Sequence, residues 1–589
     1  MTVLQSLVRY YDRLESTGEV APQGYATEKI SFAVVLGRDG RIVDVNDLRD
    51  HSGKRPQPYA MVVPQPAKRG SNIVGTFLWD NTGFALGVSI NKKNLKAKHD
   101  AFRSLHEQLL LDSDDEVLTA FLTFLGIWEP SMYPTVRYAD EMLDRNIVFR
   151  LDGELGFIHE RPAAKRIWSH RLAAEESSTA TCLVTGEQTA IARLHPVIKG
   201  LPSGQPSGVS LVSFNLPAFT SYGKHQGDNA PISRRAAHAY ATALNALLAR
   251  RASGQARNRM QIGDTTVVFW AEGPAGVAEQ AETVFSWTFN PPATDEEETA
   301  KVRSVLHKVQ LGRIEDIDEL GEKKLDPETK FHVLGVAANA SRLAVRFYLE
   351  STLGELLGRG RQHYRDLRVE PNFWGAIPPI WRLLRETAVQ GKSENILPSI
   401  SNELSRAVLT GCRYPRTLLT AVLMRIRADS VVNDIRVALC KACIVRDRRM
   451  NQDEEDVSVS LDAHEPNAGY RLGRLFAVLE SAQYAAVGTV NANIRDKFFS
   501  SASANPARVF PLLLRGVQDH LGSLRSKGKG GLAHWFDAQI AEIMSGLPSS
   551  QPFPSTLRLD DQGRFAVGYY HQRNTRKELP LVEEESGAE

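Results

Sequence analysis

Cysteine is scarce: Cys182, Cys412, Cys440 and Cys443 are the only four in 589 residues. That excludes a disulfide framework and suits a reducing compartment such as a bacterial cytoplasm. Long apolar runs are also missing. No stretch approaches the ~20 residues needed to cross a bilayer, so a soluble chain with no membrane partner is expected. The N-terminus lacks a basic segment followed by an apolar block. Instead Leu4, Leu7, Val8, Tyr11 and Leu14 recur at helical spacing, which predicts a folded helix and no signal peptide. Nor does one sign of charge dominate. With 71 Lys and Arg against 69 Asp and Glu, the net charge of +2 neither demands nor excludes nucleic acid.

The motifs of common catalysts are missing as well. There is no Gly-x-Ser-x-Gly elbow beside His159, His170, His195, His225 or His238, no phosphate-binding Walker loop, and no His-Glu-x-x-His. Cys440 and Cys443, one helical turn apart, could supply half of a tetrahedral zinc site. Cys182 and Cys412 do not form the second pair at the required spacing, so buried structural thiols are the expectation. No catalytic residue, cofactor or metal is therefore expected. The competing enzyme reading is a metal-dependent nuclease whose carboxylates are scattered too widely to form a motif.

What is present is an ordinary globular composition, 42% hydrophobic and 24% charged, over a length that calls for about two to four domains. Apolar, β-branched runs at 30–36 and 41–45 flank Asp39-Gly40 and predict a hairpin. Further strands are expected at 73–79, at 84–88 after a turn at 80–83, and at 146–150, 209–214 and 265–270. A helix is expected over 233–251. Runs at 331–336 and 342–348 read as strand, loop, strand before a helix near Leu353. From about Pro378 the pattern is mostly helical. The fold class is α+β: a strand-rich N-terminal and central region followed by a C-terminal helical bundle.

The bundle is the clearest signal. Leu472, Leu475, Phe476, Leu479 and Ala482 lie on one helical face. The spacing returns at Val490, Ile494 and Phe498, then at Phe510, Leu513, Leu514, Val517, Leu521 and Leu524, and again at Phe536, Ile540, Ile543, Met544 and Leu547. The turn-rich acidic segment 451–467 breaks the periodicity and reads as a linker. This divides the chain into an α+β region over 1–449 with room for a subdivision near residue 300, a linker over 450–467 and a bundle over 468–589. The acidic run at 295–298 reads as a solvated loop or a helix start.

Three groups of residues suit binding to nucleic acid. In 68–81, Lys68 and Arg69 can neutralise phosphates, and Gly70 lets the backbone approach closely. Asn72 or Asn81 can present paired donor and acceptor groups to a base edge. A turn with an Asn cap and extended cations accounts for the same residues. The block 182–233 is rich in Gly, Ser, Asn and Gln without a nucleophile, and offers Gln205, Asn215 and Lys224, although surface loops use such amides structurally. Basic stretches at 92–98, 359–368 and 525–529 supply Lys92, Lys93, Arg361, Arg365, Arg525, Lys527 and Lys529 for a phosphate backbone. His363 and Tyr364 are candidates to stack on an unpaired base. Solvated helix faces explain any one of these stretches alone.

The hairpin at 30–41, the block 182–232, the segment 331–347, the helix at 469–483 and the terminal Gly568-Tyr-Tyr-His-Gln-Arg573 together resemble, in order, the large subunit of the type I-C CRISPR surveillance complex, or Cascade. The resemblance spans nearly the whole chain. It implies a non-catalytic subunit seated beside the crRNA 5′ end with the pre-crRNA-processing subunit and the backbone subunits. Such a subunit reads the protospacer-adjacent motif (PAM) in target double-stranded DNA, aids R-loop formation and recruits the helicase-nuclease. It also implies that the bundle is made separately as a small subunit, for which Met450 is the candidate internal start. PAM reading carries over to Lys68, Arg69, Ser71, Asn72 and Asn81, and Arg525, Lys527 and Lys529 are candidates for holding the displaced strand. A purely structural scaffold of the complex is the other competing reading.

Overall fold

The computed structural model describes residues 2–574 apart from 54, 67–72, 175–177, 250–257, 293–295, 322–323, 375–377, 454–456 and 490–492. Val490 and the centre of the acidic segment, Glu454, Glu455 and Asp456, thus lie outside the described residues. The chain forms two compact units, one of residues 1–197 and 212–246, the other of residues 198–211 and 247–589.

The first unit contains α1 (Val3–Ser16), β1 (Tyr25–Ile30), β2 (Phe32–Leu36), β3 (Ile42–Asp47), β4 (Tyr59–Pro64) and β5 (Trp79–Asn81). It continues with α2 (Thr82–Ala85), α3 (Leu95–Leu110), α4 (Glu116–Ile127), α5 (Ala139–Met142), β6 (Asn146–Leu151), α6 (Pro162–Ala174), β7 (Thr179–Thr181), β8 (Gln188–Ala190) and α7 (Arg234–Leu248). The expected first helix forms and is closed by a capping box between Thr2 and Gln5. The expected hairpin is β2–β3, with Gly40 at φ 78° in its turn. Strand order is β3-β2-β6-β5, and β2 runs parallel to β6. A parallel pair needs a long crossover, which the helices α3 and α4 provide. Their inner faces close the core, where Phe102, Phe121, Phe124 and Phe149 are buried together with Phe32. Phe121 meets Phe149 edge-on with centroids 4.9 Å apart.

Three strand expectations are corrected here. The run 30–36 is broken at Ser31, whose N–H bonds to the carbonyl of Asn146, so β1 leaves the main sheet and pairs with β4. Residues 73–78 form no strand. Leu78 takes φ 60° and donates its N–H to His106 Nε2 at 2.8 Å, while the Thr76 N–H goes to Asp80 Oδ2 at 3.0 Å. The expected turn and strand over 80–88 are replaced by the short helix α2, because Asn81 caps it and the Thr82 hydroxyl donates to the Val88 carbonyl at 2.8 Å.

The second unit carries the antiparallel sheet β9 (Arg259–Ile262), β10 (Thr265–Ala271), β11 (Lys330–Asn339) and β12 (Arg342–Thr352), in the order β12-β11-β10-β9. Between β10 and β11 lie the helices α8 (Ala275–Phe289) and α9 (Glu296–Leu311). The expected strand, loop, strand is β11–β12, tightened to a turn at Ala340 and Ser341. The run 209–214 is not a strand: it makes isolated bridges only, Val209 to Ile198 and Ser210 to Arg342.

Among the described residues helices then continue without interruption by strands: α10 (Leu353–Leu367), α11 (Ile380–Arg385), α12 (Pro398–Thr410), α13 (Arg416–Asp429), α14 (Asp434–Met450), α15 (Ala468–Val487), α16 (Ile494–Ala504), α17 (Pro506–Ser526), α18 (Gly530–Ser545) and α19 (Leu559–Asn574). One core runs from Phe269, Phe285 and Phe331 through Leu356 and Leu357 to Phe476 and Phe565. The architecture is α+β with a helical C-terminal region. Helices α15 and α19 touch backbone to backbone: a Cβ on Gly473 would lie 2.0 Å from the Phe565 carbonyl oxygen, and one on Gly568 2.1 Å from that of Tyr470. Helix α19 also packs on α14, where Gly563 faces Ile444.

Candidate nucleic-acid interface

Lys68, Arg69, Ser71 and Asn72 lie outside the described residues. Asn81 is described and half-buried. Its Oδ1 accepts the Phe84 N–H at 3.3 Å, the capping geometry that a polar residue before a helix provides. Lys92 and Lys93 are exposed in the loop before α3, where the Lys93 N–H donates to Asn91 Oδ1 at 3.0 Å.

The block 182–233 is built around a hairpin turn. Burial raises the Cys182 thiol, but the Thr185 hydroxyl and the N–H groups of Ser233, Thr185 and Val184 outweigh it and bring the group down to about 7. The Ser233 N–H reaches Sγ at 3.2 Å, tying this turn to the start of α7. Asn229 braces the next loop: Oδ1 accepts the Ser221 N–H at 3.1 Å, and Nδ2 donates to the carbonyls of Lys224 at 3.0 Å and Gln226 at 3.1 Å. Lys224 is thereby held exposed beside Tyr222, which is 99% exposed. Asn215 lines a cavity of about 700 Å³ with Arg193, Phe214, His225 and Arg234. Arg193 is positioned by Gln226 at 2.6 Å and Arg234 by the Leu172 carbonyl at 2.9 Å. Asp228, bonded to Ser178 Oγ at 2.7 Å, lines the same cavity and moderates its positive charge. Cations, an amide and an aromatic face at one opening can hold a phosphate and a neighbouring base.

In the second unit Gln205 sits in an exposed turn closed by the Gly208 N–H on its carbonyl at 2.9 Å. Arg361 lines a cavity of about 390 Å³ with Arg359, Arg446, Arg449 and Met450, and Arg365 is exposed one helical turn on. The stacking role for His363 is overturned. His363 is 1% exposed and bonded to the Tyr414 hydroxyl, and the Tyr364 hydroxyl donates to the Thr288 carbonyl. The His363 ring is closed to a base, whereas Tyr364 is half-buried against the core. Arg525, in the last turn of α17, and Lys527 and Lys529, between α17 and α18, are exposed. Lys527 Nζ donates to the Ala486 carbonyl at 2.6 Å, and Lys529 lines a cavity of about 680 Å³ with Tyr484, Asn493 and Arg573.

Cys440 and Cys443 are buried. Burial lifts the first to about 12 and the second well above the usual thiol range, so both are protonated packing groups, the state least suited to a metal. Among the described residues no group of three or more His, Cys, Asp or Glu is placed to hold a metal ion, and no helix is long and apolar enough to cross a membrane.

The family model for the CRISPR-associated protein Cas_Csd1 matches residues 7–577. The chain belongs to this CRISPR-associated family. No curated protein gives a significant match. In this Cas_Csd1 member several cationic side chains at the openings escaped sequence reasoning. Arg193 and Arg234 stand 41 residues apart in the chain, which no local pattern joins. Arg446 and Arg449 did carry a signal, since Arg446-Asp-Arg-Arg449 is a basic run at the end of a helix.

Proposed function

We propose that this Cas_Csd1 chain is the non-catalytic large subunit of a type I-C crRNA-guided surveillance complex. It reads the PAM in double-stranded DNA, aids R-loop formation and recruits the helicase-nuclease. The observation that carries this reading is the family match over 7–577, joined to the ordered resemblance of five separate segments. The cavity at Asn215, with its forked cations and no activated nucleophile, suits binding over chemistry. The division of labour is physical: base pairing with the guide supplies sequence specificity, while protein reads a short flank and steadies the separated strands. Partners on this reading are the crRNA, the backbone and pre-crRNA-processing subunits, the helicase-nuclease, and a small subunit started at Met450. Met450→Leu would then abolish a small C-terminal product on a blot, and an unchanged product removes that start site.

The test is duplex binding by the reconstituted crRNA complex, with and without this chain, on matched targets carrying a fixed or a randomised flank. Loss of flank-dependent binding on omission supports the PAM reader. Unchanged discrimination moves the role to another subunit and leaves scaffolding. Metal-dependent cleavage by the isolated chain would instead identify the nuclease.

A further inference from the structure

The cavity between α10 and α14 is built on a buried cation. Arg446 is 1% exposed, with its guanidinium carbon 3.9 Å from the centre of the Tyr414 ring. Nε donates to Asp366 Oδ2 at 2.8 Å and Nη1 to the Ala407 carbonyl at 3.0 Å, while Nη2 is buried with no hydrogen-bond acceptor. Arg449 Nη2 donates to the other Asp366 oxygen at 2.7 Å. Arg359 is held by Glu355 at 3.2 Å and by the Leu409 carbonyl at 3.1 Å. Arg361 completes the lining. Among the described residues four arginines thus line the cavity beside one carboxylate, Glu355, with Asp366 behind Arg446 and Arg449. Gly358 and Gly411 leave its mouth without side chains.

We infer that this cavity is a seat for one phosphate group, with Arg361 and Arg449 as its contacts and Arg446 as a fixed positive floor. Guanidinium forks match phosphate oxygens in pairs, and a cation already desolvated and oriented loses little freedom when the anion arrives. The next cations along α10 favour a phosphate on a strand over a lone carboxylate. Exposed Arg365 is four residues beyond Arg361, about 5–6 Å away between Cβ atoms, on the scale of neighbouring phosphates along a strand. Exposed Arg368 extends the row. The strand version rests on the nucleic-acid reading above, while the phosphate seat itself does not.

The test uses the full chain and the double variant Arg361→Gln with Arg449→Gln, which leaves the buried Arg446–Asp366 pair intact. Calorimetry with orthophosphate reads the seat directly, and binding of a labelled single-stranded oligonucleotide across a salt series reads the strand. The expected result is loss of saturable orthophosphate binding, and a log K against log salt slope smaller by about 0.7 for each phosphate that the variant no longer neutralises. The melting midpoint should fall only modestly, because Arg446 still pairs with Asp366 after Arg449 is lost, and Arg361→Lys with Arg449→Lys should recover the slope. Orthophosphate binding that depends on the pair, with no strand binding by the wild type, keeps the seat, assigns it to a free phosphate and counts against the nucleic-acid reading. Equal orthophosphate binding and equal slopes in wild type and double variant overturn the seat, whatever the chain does with DNA.

Discussion

Arg446 and Asp366 form an ion pair at 2.8 Å with 2% and 0% of their side chains exposed, and 80 residues of chain separate them. Asp366 also takes Arg449, so one carboxylate is shared by two cations and joins α10 to α14. Removing one partner of a buried pair leaves an uncompensated charge, which costs about 3–5 kcal/mol. Asp366→Ala is therefore expected to lower stability by that order in chemical denaturation, with two arginines left unneutralised. A loss under about 1 kcal/mol would mean the pair behaves as a surface pair and the helices are held by their apolar faces alone.

The contact of α15 with α19 depends on glycine. A methyl at Gly473 or Gly568 would sit about 2 Å from a carbonyl oxygen of the other helix, and backbone cannot yield as a flexible side chain does. Gly473→Ala should part the helices and cost about 1–3 kcal/mol or more. Gly516→Ala, where nothing lies within 4 Å of the added carbon, should be neutral or slightly stabilising. Thermal melts of the two variants check this, and equal midpoints would show that the helices have room to separate.

His106 ties stability to pH. Its Nε2 accepts the Leu78 N–H, so the proton sits on Nδ1, which donates to the Phe102 carbonyl at 2.7 Å. Burial pushes the imidazole from 6.5 down to about 4, against a smaller upward pull from the Phe102 carbonyl. The fold holds the neutral form. Its contribution is fully present above about pH 6.5 and is lost as pH falls toward 4, a change of roughly 3 kcal/mol. His106→Gln should start with a lower melting midpoint at pH 7 and lose less between pH 6.5 and 4 than the wild type. Parallel losses would assign the acid sensitivity to other groups, of which buried His363, lowered to about 3, is the first to examine.

Much of this fold was readable where a local pattern decides the outcome. The stripes through Leu472, Phe476 and Leu479, and through Phe510, Leu513, Val517 and Leu521, are buried as helical periodicity requires. The apolar run 265–270 became a strand buried along its whole length. What could not be read depended on partners distant in sequence. Residues 73–78 carry strand-forming side chains, but the N–H groups of Leu78 and Thr76 are taken by His106 and Asp80. In the basic stretch of α10, polar His363 and Asp366 face inward because Tyr414 and Arg446, 51 and 80 residues away, satisfy them. The candidate interface divides likewise. The amides of 182–233 were visible in composition, whereas Arg193, Arg234 and Arg446 reach their cavities through tertiary structure.

The candidate contacts in 68–81 separate positioning from reading. A phosphate contact carries no sequence information, so Lys68→Ala or Arg69→Ala should weaken all duplexes alike and reduce the salt slope by about one for each cation removed. A base-edge amide acts differently: Asn72→Ala should relax the preference for the flanking motif, by about 1–3 kcal/mol of discrimination. Asn81 needs a gentler change, because its Oδ1 also caps α2. Asn81→Asp retains the capping oxygen and removes the amide donor, so the helix stays closed while Nδ2 can no longer reach a base. Binding of a randomised-flank library by the reconstituted complex reads all four variants at once. An unchanged flank profile for Asn72→Ala and Asn81→Asp would remove both amides from PAM reading and leave Asn81 as a cap.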